Sequence, residues 1–160
     1  MPSLRLADAP TETLVLSPFD GELTEVVSRL RRALRASIRT EYAWEALPMT
    51  HIEVLQTLAE RPGIRVGDVA PALRLAQSTV SGLLRQMAAS GLVERETAVA
   101  DRRVVQVSLT PAGARLLAEW QHAHRLRIAA ALGTLGAEQQ DAIGQAIPAL
   151  DLLVDQLTEF

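Results

Sequence analysis

The 160-residue chain contains no cysteine, which excludes disulfide frameworks, thiol nucleophiles, thiolate metal sites and redox sensing through a thiol. It contains no lysine either. All sixteen basic residues are arginine, the cation suited to planar, bidentate contact with phosphate and guanine as well as to ordinary surface ion pairs. No apolar run approaches the roughly 20 residues that a membrane span needs, and the opening MPSLRLADAP lacks the apolar stretch of a secretion signal. A cytoplasmic location is the expectation. What remains is ordinary globular material, 48% hydrophobic and 22% charged, enough for one compact domain or a small core with appended helices.

The formal net charge of −3 argues against a cationic binder acting through its whole surface, so any nucleic-acid role rests on local charge. That charge is unevenly spread. Residues 1–60 hold six Arg against nine acids, residues 61–103 seven Arg against four, and residues 104–160 three Arg against six. Only the middle stretch is cationic.

Residues 1–18 include Pro2, Pro10 and Pro18 without a sustained period, the pattern of a flexible arm. From about Asp20, Leu23, Val26, Val27, Leu30, Leu34 and Ile38 recur at helical spacing with arginines between them, which predicts an amphipathic helix ending near Leu47-Pro48. Thr50 and Glu53 have capping-box spacing for a second helix that Arg61-Pro62-Gly63 stops. Val66 to Leu73 and Gln77 to Ser90 are then two short helices joined by Arg74-Leu75-Ala76, a helix-turn-helix pattern. Pro71 is awkward in the first of them and is expected in its first turn. Gly91 suits the left-handed position just past a helix end.

After Gly91 the period changes to two. Leu92 to Glu96 and Val105 to Leu109 alternate on either side of a charged tip, the signature of a β-hairpin. A hairpin directly after a helix-turn-helix is a wing. Thr110-Pro111 reads as an N-cap followed by proline at the first helical position, opening a helix that breaks near Gly133 to Gly136. A last helix carries Ile143, Ile147, Leu150, Val154 and Leu157 as a narrow seam, with a kink expected at Gly144 and Pro148. The fold class is therefore mainly α with a small β-wing: a winged helix-turn-helix core flanked by N- and C-terminal dimerisation helices. The expected divisions are an arm over 1–18, a dimerisation helix over 19–47, the DNA-binding domain over 48–110 and dimerisation helices over 111–160.

Such a module has a physical reason to bind DNA. The major groove admits one helix, and the second helix of the pair can present its early polar residues to base edges. Here those residues are Gln77, Ser78, Thr79 and Ser81, with Arg85 one turn later. A wing reaches toward the neighbouring minor groove, whose negative potential draws the tip arginines Arg102 and Arg103. The competing reading is a winged-helix module for protein contacts, with these polar residues merely solvated. One module binds weakly, and the long apolar stripes outside the core call for a partner, so a homodimer on a two-fold site is expected, the alternative being that these helices simply pack on their own domain.

Asp101-Arg102-Arg103 through Val107-Ser108-Leu109-Thr110-Pro111-Ala112-Gly113 resembles the wing and following turn of the MarR family, the multiple-antibiotic-resistance-type regulators. The pattern is Asp, any, Arg, three of any kind, Val, any, Leu, Thr, two of any kind, Gly. Ser78-Thr79-Val80-Ser81 and Ser90-Gly91-Leu92-Val93-Glu94-Arg95 are similar to the family's recognition helix and entry into the wing. The resemblance implies a homodimeric regulator, often a repressor, that binds a pseudo-palindromic operator and releases it when a small phenolic or anionic effector binds. It also implies that Asp101 orients Arg103, and it leaves open whether Arg102 or Arg103 enters the minor groove. Two departures stand out. Arg74 occupies a turn position where relatives usually have glycine, so either the turn differs or Arg74 serves as a phosphate contact. The tip reads Thr97-Ala98-Val99-Ala100, without the usual extra proline and basic residues.

Tyr42, Trp44, Met49, His51 and Trp120 lie where the resemblance places the effector cleft. His122 and His124 are two apart on different helix faces, with no third ligand type at metal spacing near them and His51 elsewhere, so no metal and no cofactor is expected, with a zinc-sensing subtype as the minor alternative. No nucleophile motif, phosphate loop or paired carboxylates mark an enzyme.

Overall fold

Ser17-Pro18-Phe19-Asp20 starts the first helix earlier than its apolar period alone indicates. Pro18 sits where its missing N–H has no intrahelical acceptor to lose, and the Asp20 carboxylate accepts from the Ser17 backbone N–H at 2.6 Å. Helix α1 accordingly runs Pro18–Ala36. The computed structural model describes residues 16–37, 47–97 and 104–159. Most of the expected arm, the continuation of the first helix toward Leu47 and the tip of the wing lie outside the described residues. The chain divides into two units, residues 1–38 with α1 and residues 39–160 with every other element.

In the second unit, α2 spans Met49–Glu60, with extended Pro48 in the N-cap position and no side-chain cap bond. The expected capping box is therefore absent. The chain already turns helical at Met49, which puts Thr50 inside the first turn rather than at the boundary. Gly63, at φ 72°, turns the chain into the two-residue strand β1, Ile64–Arg65. Helix α3, Val66–Leu73, follows at once. Because α3 starts directly from β1, Pro71 falls in its second turn instead of its first. It forfeits the bond to the Gly67 carbonyl, and the helix ends two residues later.

Helix α4 covers Gln77–Ala89, Gly91 adopts φ 70°, and strands β2, Val93–Thr97, and β3, Val105–Leu109, form the wing. β3 lies centrally in an antiparallel sheet of order β1-β3-β2. Ile64 faces Val107, and Val93 faces Leu109. Helix α5 spans Pro111–Leu132, and helix α6, Ala137–Glu159, continues unbroken through Gly144 and Pro148.

The junction into α5 explains the spacing of its threonine and glycine. Thr110 Oγ1 accepts from the Gly113 N–H at 3.1 Å and donates to the Gly91 carbonyl at 2.6 Å. A Cβ on Gly113 would lie 2.0 Å from the Leu92 carbonyl oxygen, so only glycine lets α5 start against the loop that enters the wing. The core beneath is built from Ile52, Val54, Leu55 and Leu58 of α2, Val69 of α3, Val80, Leu84 and Met87 of α4, Val93 and Val107 of the wing, and Leu117 of α5. Each large side chain buried there contributes about 1.5–3 kcal/mol of apolar transfer. This single core fixes α4 and the wing strands against each other.

Candidate nucleic-acid interface

Val80, Leu84 and Met87 turn one side of α4 into the core. At about 100° per residue, the opposite side carries Ser78, Gly82, Arg85 and Ala89. Gln77 and Ser81 lie on one flank, Thr79 on the other. Gln77, Ser78, Thr79 and Arg85 are exposed and Ser81 is half-buried. The first turn therefore presents a continuous polar surface. Arg85 Nε donates to the Ser81 carbonyl at 3.3 Å, leaning the guanidinium back toward the helix start. Ala76, the N-cap residue, offers no side-chain acceptor to the first amides of the helix, an arrangement that favours an external anion.

Gly82 is absent from the residues named from sequence, yet it lies at the centre of this outward side. A glycine inside a helix costs about 1 kcal/mol relative to alanine. Nothing in the fold requires it, since a Cβ built there has no neighbour within 4 Å. Its place on the outward face, opposite Val80, Leu84 and Met87, is the signal that could have found it.

Arg74 keeps the turn geometry that its bulk disfavours. It adopts φ 53°, ψ 36° and is the one non-glycine residue with positive φ among the described residues. Of the two alternatives, a different turn is thus ruled out: backbone bonds from its N–H to the Ala70 and Pro71 carbonyls, and from Leu75 N–H to Ala70 O at 3.1 Å, hold the left-handed turn closed. Its guanidinium donates to the Thr158 carbonyl near the end of α6.

In the wing, Val93, Val107 and Leu109 point inward. Arg95 faces Val107 and Thr97 faces Val105 across the hairpin. Alternation puts both on the same side of the sheet as the core, but beyond its edge, where they are exposed. Arg95 is a further exposed cation of the wing that the sequence reading does not single out. Asp101, Arg102 and Arg103 lie outside the described residues.

Of the candidate effector contacts, Tyr42 and Trp44 also lie outside the described residues. Met49, the first residue of α2, is 46% exposed, while His51 is 4% exposed with no hydrogen-bond partner at Nδ1. Trp120 of α5 packs half-buried against the core. Its ring centroid stands 4.0 Å from that of His124, whose Nδ1 donates to the Trp120 carbonyl at 3.0 Å. The described residues contain no group of three or more side chains able to hold a metal. No described helix is long and apolar enough to cross a membrane.

A two-helix reading unit with a polar, outward first turn and an adjoining β-hairpin defines a winged helix-turn-helix protein. Residues 47–105 match the model of the MarR family. A candidate transcriptional regulatory protein for the hcr operon of Thauera aromatica is 30% identical over 66% of this chain and 72% of its own. Among solved structures, a MarR family protein from Bacillus stearothermophilus aligns with a TM-score of 0.71 at 23% identity, covering 88% of this chain and 99% of that one. FabT of Streptococcus pneumoniae, solved in complex with DNA, aligns with a TM-score of 0.65 at 18% identity, covering 87% and 96%. The chain belongs to the MarR family of transcription regulators and carries that family's DNA-binding winged helix; it is not an enzyme.

Proposed function

We propose that two copies of this chain form a homodimer that reads a pseudo-palindromic operator, α4 of each copy entering the major groove. The observation that carries the reading is the exposed polar first turn of α4, set rigidly by a fully buried opposite face. Gln77, Ser78, Thr79 and Ser81 reach base edges or phosphates, and Arg85 takes guanine or a phosphate. Bare Gly82 lets the helix axis approach the base pairs. Arg102 or Arg103 serves the minor groove, aided by the exposed Arg95 of β2, and Asp101 orients Arg103. Recognition helices in such a dimer stand about 34 Å apart.

The dimer is formed by the flanking segments 19–47 and 111–160, whose exposed stripes, Val26, Val27 and Leu30 in α1 and Ile147, Val154 and Leu157 in α6, are each covered by the second copy. The protein acts in the cytoplasm as a repressor that a small phenolic or anionic effector releases. The buried Nδ1 of His51 supplies that effector's polar anchor and Trp120 an apolar wall, and Tyr42, Trp44 and Met49 are its further contacts.

Titration of a labelled duplex from the region upstream of its gene at two salt concentrations tests this reading. Specific binding that weakens steeply with salt is expected. Absence of binding without any effector favours a protein-contact module instead. Arg85→Ala is expected to weaken binding and relax base preference at one or two positions per half-site; unchanged affinity and preference would remove Arg85 from the readers.

A further inference from the structure

Arg74 poses a question that the recognition helix does not answer. A bulky side chain at φ 53° is disfavoured where glycine is at ease, and the residue is exposed, so packing does not account for it. Its guanidinium is instead bonded to a residue 84 positions away, donating to the Thr158 carbonyl. The acceptor is an unusual one. Carbonyls in the last turn of a helix have no intrahelical partner and carry the negative end of the helix dipole. Helix α6 has no basic residue anywhere along Ala137–Glu159 to offset that end. At steps of four and three, Asp151 and Asp155 lie on the same face as Thr158 and add to the negative potential. Arg74 supplies from the reading head the cation that α6 lacks.

The same guanidinium sits in the turn that delivers α4, next to where a helix-turn-helix meets the DNA backbone. We propose that Arg74 is shared between two competing acceptors: the C-terminal carbonyls of α6 when no DNA is present, and a backbone phosphate when α4 is docked. The end of α6 thereby acts as an internal competitor that lowers DNA affinity and couples the reading head to the C-terminal helix. This inference rests on the DNA-reading role of α4. It requires no covalent change, only exchange of one charge-assisted hydrogen bond for another.

Four chains test the competition: the full chain, a chain ending at Leu157, which keeps the whole proposed dimer stripe, and each of these with Arg74→Gln, titrated with the upstream duplex and a scrambled duplex across a salt series. Removing the end of α6 is expected to raise affinity for both duplexes at least about threefold and to steepen the log–log salt slope by about one phosphate contact. In the Arg74→Gln background the same truncation is expected to change nothing. Thr158→Gly combined with Glu159→Gly, which loosens the last turn without shortening the chain, should shift affinity in the same direction by less. Equal affinity of the full and truncated Arg74 chains, or an equal gain in the Arg74→Gln pair, would overturn the competition while leaving DNA reading intact. Failure of every chain to bind any duplex would overturn both. Amide exchange without DNA separates the two levels: the last turn of α6 should exchange faster in Arg74→Gln than in the parent, and identical rates would show that the bond does not hold that turn.

Discussion

Helices α4 and α6 carry similar instructions and come to different ends. Both are amphipathic, both contain an interior glycine, and both lie in the same unit. In α4 the apolar stripe is fully covered by its own chain, with Val80, Leu84 and Met87 each at 0% exposure. In α6, Ile147, Val154 and Leu157 remain more than half exposed. Periodicity specifies a stripe and its face, but not what covers it. For α4 the cover is the rest of the winged core. For α6 the proposed cover is a second copy, which would give one helix to reading and the other to assembly.

The sharpest way to break the comparison is to damage the core that positions α4. Gly113→Ala forces a methyl group into the Leu92 carbonyl and should destabilise the protein by on the order of 3 kcal/mol. Leu84→Ala should cost about 3 kcal/mol through lost burial and a cavity. Urea denaturation measures both, and a loss under 1 kcal/mol in either would mean that the core relaxes more easily than its packing indicates. Ile147→Asp together with Val154→Asp should leave the core's near-native signature in place while halving the mass in solution, since an exposed stripe has little intramolecular packing to lose. An unchanged mass would place the dimer contact elsewhere.

The smallest and most diagnostic change is Gly82→Ala. Alanine should stabilise α4 by about 1 kcal/mol, raising the melting temperature, yet weaken operator binding by on the order of tenfold, about 1.4 kcal/mol. A variant both more stable and equally tight in binding would show that the bare backbone has no role in groove approach.

Much of this was legible in the sequence. The switch from a period of 3.6 to one of 2 at Gly91 locates the helix-turn-helix and the wing because each element is long enough to complete its period. β1 escaped because two residues show no alternation, and its pairing partners Val107 and Gln106 are some forty positions away. The start of α2 differs from the capping-box expectation because Thr50 and Glu53 have the right spacing at the wrong place, with Pro48 already holding the cap position. Conversely, Ser17 and Asp20 do form a reciprocal start that the neighbouring prolines obscured. The α4 candidates follow from helix position alone. Gly82 required knowing which side is buried, and the bond between Arg74 and Thr158 joins residues that no local pattern connects. The buried, unpartnered state of His51 Nδ1 likewise arises from how α2 packs, not from its own sequence.

Sedimentation of the protein with a saturating amount of its upstream duplex tests the central claim most directly. Two chains on one duplex, at an affinity that falls steeply between low and physiological salt, is the predicted result. One chain per duplex, or a monomer sedimenting apart from the DNA, would contradict it.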